Sequence, residues 1–453
     1  MKKSILLGTA ALAAVAFAAP QADAGEVKMG GYYQFRMTDT DNTPGRNPNE
    51  QAADFWAQRL HLNVDFKASE KSHAHMVYRV LDNKTVQGAD ATFAGGTATP
   101  AAADWQLRQL WFETEAYGVG VKVGNMPIAL NDGILVDHDV TSYGAILLSK
   151  NFGNVTVVAG DVKVAEGSTG TSAELGNSKD VDLWALSILG KVNAVDYQLT
   201  GLYLNQQSAL GVTAYNALGN GLGTIVNGMN QVSDGWIALT LGGKVVGVDL
   251  TGTAVYETGM NNVTPNSQLE KGGWLTALRA KGKTGFGGWN GYAFYGSENF
   301  TAAYPGGNQA HWSPTWDSGG PGAQDLMEAA LTGNANDTGG ITYATKIATD
   351  TSNMWGIGAG LAINAGAWTI KPSLDYAHLV TSNILTTGAA GTSVYNRAWG
   401  GTLGFSTKIQ EATTLDLSGT LVRPHNDTAA VALTDANRAQ TMRYLQASLK
   451  MDF

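Results

Sequence analysis

A two-residue alternation of apolar and polar side chains runs through most of this chain and restricts its fold more than any other feature. Val27, Met29, Tyr33, Phe35 and Met37 share one parity, with Lys28, Gln34, Arg36 and Thr38 on the other. Trp56, Leu60, Leu62, Val64 and Phe66 alternate with Arg59, His61, Asn63, Asp65 and Lys67. Val246, Val248, Leu250, Ala254 and Tyr256 alternate with Asp249, Thr251, Thr253 and Glu257. Successive side chains of a strand point to opposite faces, so each segment has one apolar and one polar face. Segments of roughly ten residues with this pattern are the signature of an all-β transmembrane antiparallel barrel, lipid outside and water inside. The stretch 353–370 is uncharged for 18 residues, long enough for a membrane helix. There, however, Trp355, Ile357, Ala359, Leu361 and Ile363 alternate with small residues, and Asn364-Ala365-Gly366 breaks the run. It reads as two strands and a turn.

The connections alternate in length. Tight turns lie near Ser69–Lys71, Tyr117-Gly118, Phe152–Asn154, Gly190–Asn193, Gly242–Lys244, Gly282–Gly285, Asn364–Gly366 and Lys408–Glu411. Long loops rich in Gly, Asn, Asp and Thr cover 38–54, 82–103, 126–142, 166–179, 205–234, 258–272, 298–352, 379–396 and 424–438. Eight turns and nine loops predict eighteen strands, with both chain ends on the short-turn side. Alternation is poor at 145–150 and 183–189, which leaves sixteen strands as the alternative. Trp56, Tyr203, Tyr256, Trp274, Tyr295, Trp355, Tyr376 and Trp399 fall at the long-loop ends, and Tyr117, Phe152, Phe286 and Trp368 beside the short turns. Two such bands match the headgroup levels that amphipathic rings prefer.

Residues 1–24 read as a cleaved export signal: Lys2 and Lys3, an apolar run from Ile5 to Ala19, then Ala22-Asp23-Ala24 before Gly25. Residues 25–453 then form a single barrel domain. Loss of Lys2, Lys3 and Asp23 takes the formal net charge from −9 to −10. Only 15% of residues are charged, against about 25% in ordinary proteins, yet the 12 Trp, 16 Tyr and 12 Phe exclude a disordered chain. The absence of Cys excludes disulfides, thiolate metal sites and a Cys nucleophile. The acidic balance argues against nucleic-acid binding, which rests on Lys and Arg.

In Tyr444–Phe453, residues Leu445, Ala447, Leu449, Met451 and Phe453 face one way and Gln446, Ser448, Lys450 and Asp452 the other. This segment resembles the final strand of bacterial outer-membrane proteins, whose aromatic last residue is read by the barrel-assembly machinery. With the export signal and the alternating segments, the chain from Gly25 onward resembles the bacterial outer-membrane porin superfamily. The resemblance implies a bacterial outer-membrane location, contact with lipid, and a water-filled channel for passive diffusion of small hydrophilic solutes or ions. Trimers are common in that superfamily, but no residue pattern here specifies one. Alternation begins at Val27, so no plug domain is expected before the first strand. Two alternatives stay open: a channel selective for an acidic sugar or other anion, and a non-channel barrel that sheathes a partner.

Charges on the water-facing parity are the candidate lining residues. Arg36, Arg59, His61 and Arg79 fall on the first three strands, and pairing about the Ser69–Lys71 turn sets His61 opposite Arg79 and Asp65 opposite His75. In general porins the third long loop folds into the lumen with acids facing a basic wall. By that resemblance Asp132, Asp137 and Asp139 oppose Arg36, Arg59 and Arg79, a charge arrangement that sets ion selectivity. The preceding Gly124-Asn125-Met126 resembles a Gly-Arg-Gln element of some eighteen-stranded porin-like families, alginate exporters included, with Asn-Met in place of Arg-Gln. Loop 205–234 carries Tyr215, Leu218, Leu222, Ile225 and Met229 at helical spacing, and 298–352 is long enough for a lid or a subunit contact. The seven His form no catalytic motif, and His73-Ala74-His75 reads as polar lining. No catalytic residue, cofactor, metal or nucleic-acid partner is expected.

Overall fold

The structure is a computed structural model that describes residues 25–41, 53–85, 106–165, 181–206, 231–264, 267–297, 300, 354–380, 396–425 and 441–453. The predicted export signal 1–24, most of the predicted loop 205–234 and almost all of 298–352 lie outside the described residues. The strands are β1 (Glu26–Asp41), β2 (Ala53–Ser69), β3 (Ser72–Thr85), β4 (Gln106–Ala116), β5 (Val119–Leu130), β6 (Val136–Asn151), β7 (Val155–Ala165), β8 (Val181–Val192) and β9 (Val195–Gln206). They continue as β10 (Gln231–Val245), β11 (Val248–Thr264), β12 (Ser267–Thr284), β13 (Gly287–Gly296), β14 (Met354–Ala365), β15 (Trp368–Leu379), β16 (Arg397–Gln410), β17 (Thr413–His425) and β18 (Met442–Asp452).

Every strand pairs antiparallel with its chain neighbours, and β1 pairs with β18, so the eighteen strands close into a barrel. At this seam Gln34 Nε2 donates to Ser448 Oγ at 2.9 Å, and Gly31 and Phe453 exchange two backbone hydrogen bonds of 3.0 Å. Closure leaves no open sheet edge, which a chain surrounded by hydrocarbon requires. The weakly alternating segments 145–150 and 183–189 lie inside β6 and β8, so the count is eighteen and not sixteen.

Alternation along the strands becomes an outside and an inside. Leu186, Ile237, Leu374 and Leu421 are exposed on the outer face, whereas Thr200, Thr240, Thr253 and Ser448 are buried on the inner one. Trp184, Tyr203, Tyr256, Trp274 and Trp399 stand exposed toward the long-loop end, and Tyr117, Phe152 and Phe286 toward the short-turn end. The ring of Trp274 stacks on Tyr295 at 4.7 Å and Trp355 lies 5.2 Å from Tyr376, which shields part of that band.

Three predicted connections differ from the structure, one of them the long loop 258–272, where β11 runs on to Thr264 and β12 starts at Ser267. The Gly242–Lys244 turn is strand: Gly242 pairs with Thr251 and Lys244 with Asp249, and the hairpin reverses at Val246-Gly247. Positive φ at both residues, 49° and 83°, is the type I′ geometry that matches strand twist. Gly243 serves close approach instead, because a Cβ there would sit 3.1 Å from the Ala194 carbonyl oxygen. The predicted long loop 126–142 is mostly strand as well, since β5 runs on to Leu130, β6 starts at Val136, and a short turn joins them.

Candidate functional site

On the inner face of β1–β3, register alone lays out a row of cations. Arg36 lies opposite Ala57, two residues from Arg59, and Arg79 lies opposite His61, two residues from Arg59 on the other side. Each Arg is thus the diagonal neighbour of the next, with about 7–8 Å between backbones. Arg36 and Arg79 are buried against the wall, and His61 Nδ1 lies 3.3 Å from the Tyr32 hydroxyl. Toward the short turns imidazoles pair with acids: His75 Nδ1 is 2.5 Å from Asp65 Oδ1 and His73 Nε2 is 3.5 Å from Glu113 Oε2. Between them Trp111 stacks on His75 at 5.2 Å and carries Lys122 Nζ 3.7 Å from its ring centroid.

Acids occupy the far side. Asp234 on β10 and Glu257 on β11 are buried on the inner face and are diagonal neighbours, since Glu257 pairs with Trp236. In a ring of eighteen, β10 and β11 are nine strands from β1 and β2, directly across the lumen. Asp375, on β15 only four strands from β1, accepts a 2.8 Å bond from the Tyr292 hydroxyl. The inner wall thus carries a diagonal Arg row on β1–β3 and an acid pair on β10 and β11, with Arg279 on the neighbouring β12.

A hairpin enters this space. Beyond Asn125, β5 no longer pairs with β4, and the β5–β6 register jumps between Met126 and Ile128, at Pro127. From there Ile128–Leu130 pair only with Val136–His138, and the tip leaves the wall. Its turn takes three left-handed residues, Asn131, Asp132 and Gly133, with φ of 55°, 58° and 76°. Asn131 N–H donates to Gln198 Oε1 at 3.2 Å, and its amide nitrogen to the Gln198 carbonyl at 3.2 Å and Thr240 Oγ1 at 3.1 Å. Arg279 Nη1 donates to the Asp132 carboxylate at 2.8 Å. The tip thus reaches β9, β10 and β12 across the inside of the barrel.

Apolar packing dominates this docking. Ile134 and Leu135 are 2% and 1% exposed, and each such side chain contributes about 1.5–3 kcal/mol. The Asp132–Arg279 pair is partly solvated and adds about 1 kcal/mol at most.

These positions revise the expected site. Asp132 does not oppose Arg36, Arg59 and Arg79, because its carboxylate is engaged by Arg279 on β12. Asp137 and Asp139 belong to strand β6 rather than a loop, and their side chains lie outside the described residues. Asp234 and Glu257 are instead the buried inner-face acids on the strands nine places around the ring from β1 and β2. Glu257 was visible by parity in the sequence, but its position across from β2 follows only once the ring closes. Arg279 and Asn131 were missed; Arg279 shows the water-facing parity, alternating with the exposed Leu278. Among the described residues no three His, Asp or Glu side chains gather to hold a metal.

No protein-family model and no curated protein matches this chain in sequence. Solved structures do match in fold. OccAB4 of Acinetobacter baumannii aligns at a TM-score of 0.53 with 11% identity, over 94% of this chain and 98% of that one. OccK8 (OprE) of Pseudomonas aeruginosa gives 0.53 and 11%, with the same coverage. OpdO of Pseudomonas aeruginosa gives 0.53 and 10%, over 94% and 97%. Such neighbours are outer-membrane porins. The fold is the eighteen-stranded porin barrel. At about one identical residue in ten, the likeness to those proteins is one of fold.

Proposed function

We propose that this protein is an outer-membrane porin of a Gram-negative bacterium, a water-filled channel for passive diffusion of small hydrophilic solutes or ions. The observation that carries this reading is the closed ring itself: apolar outside, and inside a polar surface with an Arg row and an acid pair, narrowed by an inserted hairpin. Eighteen strands enclose more than side chains can fill, and its structural neighbours are channels rather than enzymes. Arg36, Arg59, His61 and Arg79 line one side of the path, and Asp132 belongs to the constricting hairpin.

A second reading, a channel selective for small anions such as carboxylated solutes, is favoured by the diagonal row of three guanidinium groups. Export through residues 1–24 and assembly through Phe453 complete the proposal; the hydrogen bonds of Phe453 to Gly31 at the seam support a part in closure. The test is single-channel recording in planar bilayers with a salt gradient. Stepwise conductance with an anion-favouring reversal potential is expected, and a silent, fully folded barrel overturns the channel reading.

A further inference from the structure

The inserted hairpin does not seal against the wall it covers. A cavity of about 260 Å³ lies between them, whereas packed interiors hold few voids larger than a water molecule. Its hairpin side is formed by Ile128, Leu130 and Val136, and its wall side by Leu147, Val162 and Leu183. Val136, Val162 and Leu183 are buried, which closes the long-loop end, while Val158 and Leu189 are half-buried and leave the short-turn end open.

The polar groups at the margin are already engaged with one another. Gln198 Nε2 donates to Ser187 Oγ at 3.1 Å, and Gln198 Oε1 accepts the Asn131 N–H. They offer little to a polar ligand or to water. An apolar cavity of about 150 Å³ stays dry and binds benzene, so this one accommodates a single substituted ring.

We propose that this cavity is a binding site for the apolar ring of a small aromatic solute, entered from the short-turn side of the lumen. A bound ring touches Ile128 and Leu130, the residues by which the hairpin rests on the wall. The site is independent of conduction, because the pocket exists in the folded barrel whether or not ions pass.

The test uses fluorobenzene and the detergent-solubilised full barrel, followed by ¹⁹F saturation-transfer NMR. Saturable binding is expected, weakened about tenfold or more by Ala185→Leu, which fills the cavity. Leu239→Ala, on the outer face, keeps it. Equal signals from all three proteins mean partitioning into detergent and overturn the proposal. Should Ala185→Leu not fold, Ala185→Val, which fills less of the same cavity, decides: weaker binding of fluorobenzene than by the unaltered protein is expected, and equal binding overturns the site.

Discussion

The inner wall has two regions that solve opposite problems. Along β1–β3 it is a polar surface, with Arg36, Arg59 and Arg79 stepping down adjacent strands. Along β6–β9 it is apolar, with Leu147, Val158, Val162, Leu183 and Leu189 facing inward. The second surface would be unfavourable against water, and the hairpin 127–136 covers it with Ile128, Leu130 and Val136. One wall is built to meet solute and the other to hold the device that narrows the path. A barrel lumen is therefore not one environment, and a side chain's role depends on the strand that carries it.

Leu135→Asp has the largest expected effect. An unpaired carboxylate under the hairpin costs about 3 kcal/mol or more, so the tip leaves the wall. Single-channel conductance should rise clearly above that of the unaltered protein, and unchanged conductance would show that the hairpin does not constrict the lumen. Leu183→Ser tests the wall beneath it, with an expected loss of about 2–3 kcal/mol from the lost apolar group and the stranded hydroxyl. It should appear as an earlier midpoint in urea unfolding with the slope unchanged.

On the opposite wall, replacing Arg36, Arg59 and Arg79 together by Ala should lower the anion-to-cation permeability ratio about tenfold, equivalent to about 1.4 kcal/mol. Reversal potentials read this directly, and a ratio that stays put would remove the Arg row from selectivity. The smallest effect belongs to Arg279→Ala. Breaking its partly solvated pair with Asp132 should cost under about 1 kcal/mol, visible as added current noise with the mean conductance kept. A collapse of the constriction in this variant would mean that the ion pair, and not apolar packing, holds the tip.

Strand number and facing were legible in the sequence because each strand carries its own two-residue period. The same periodicity misled where it failed. At 145–150 and 183–189 alternation is poor because both faces are apolar, one toward lipid and one toward the hairpin. Those weak segments were the local mark of an inserted element, and their length and boundaries gave it no other sign. The partner of Asp132 could not be read in this way: Arg279 is 147 residues away, and strand period says nothing about which walls face across a ring. The Gly242-Gly243 pair misplaced its turn for a related reason, since a glycine that permits close strand packing looks the same as one that permits a reversal.

The seam between β1 and β18 bears on how such a chain reaches its fold. Gln34 and Ser448, bonded side by side, are 414 residues apart, while every other neighbouring pair of strands is also adjacent in the chain. Hairpins can form early and locally, but the ring closes only when the two most distant strands meet, the kind of contact that slows folding most. Until that moment the free edges of β1 and β18 are templates for pairing with other chains. A barrel of this topology spends its vulnerable period waiting for its last strand, and shielding those two edges is the task its folding environment must perform.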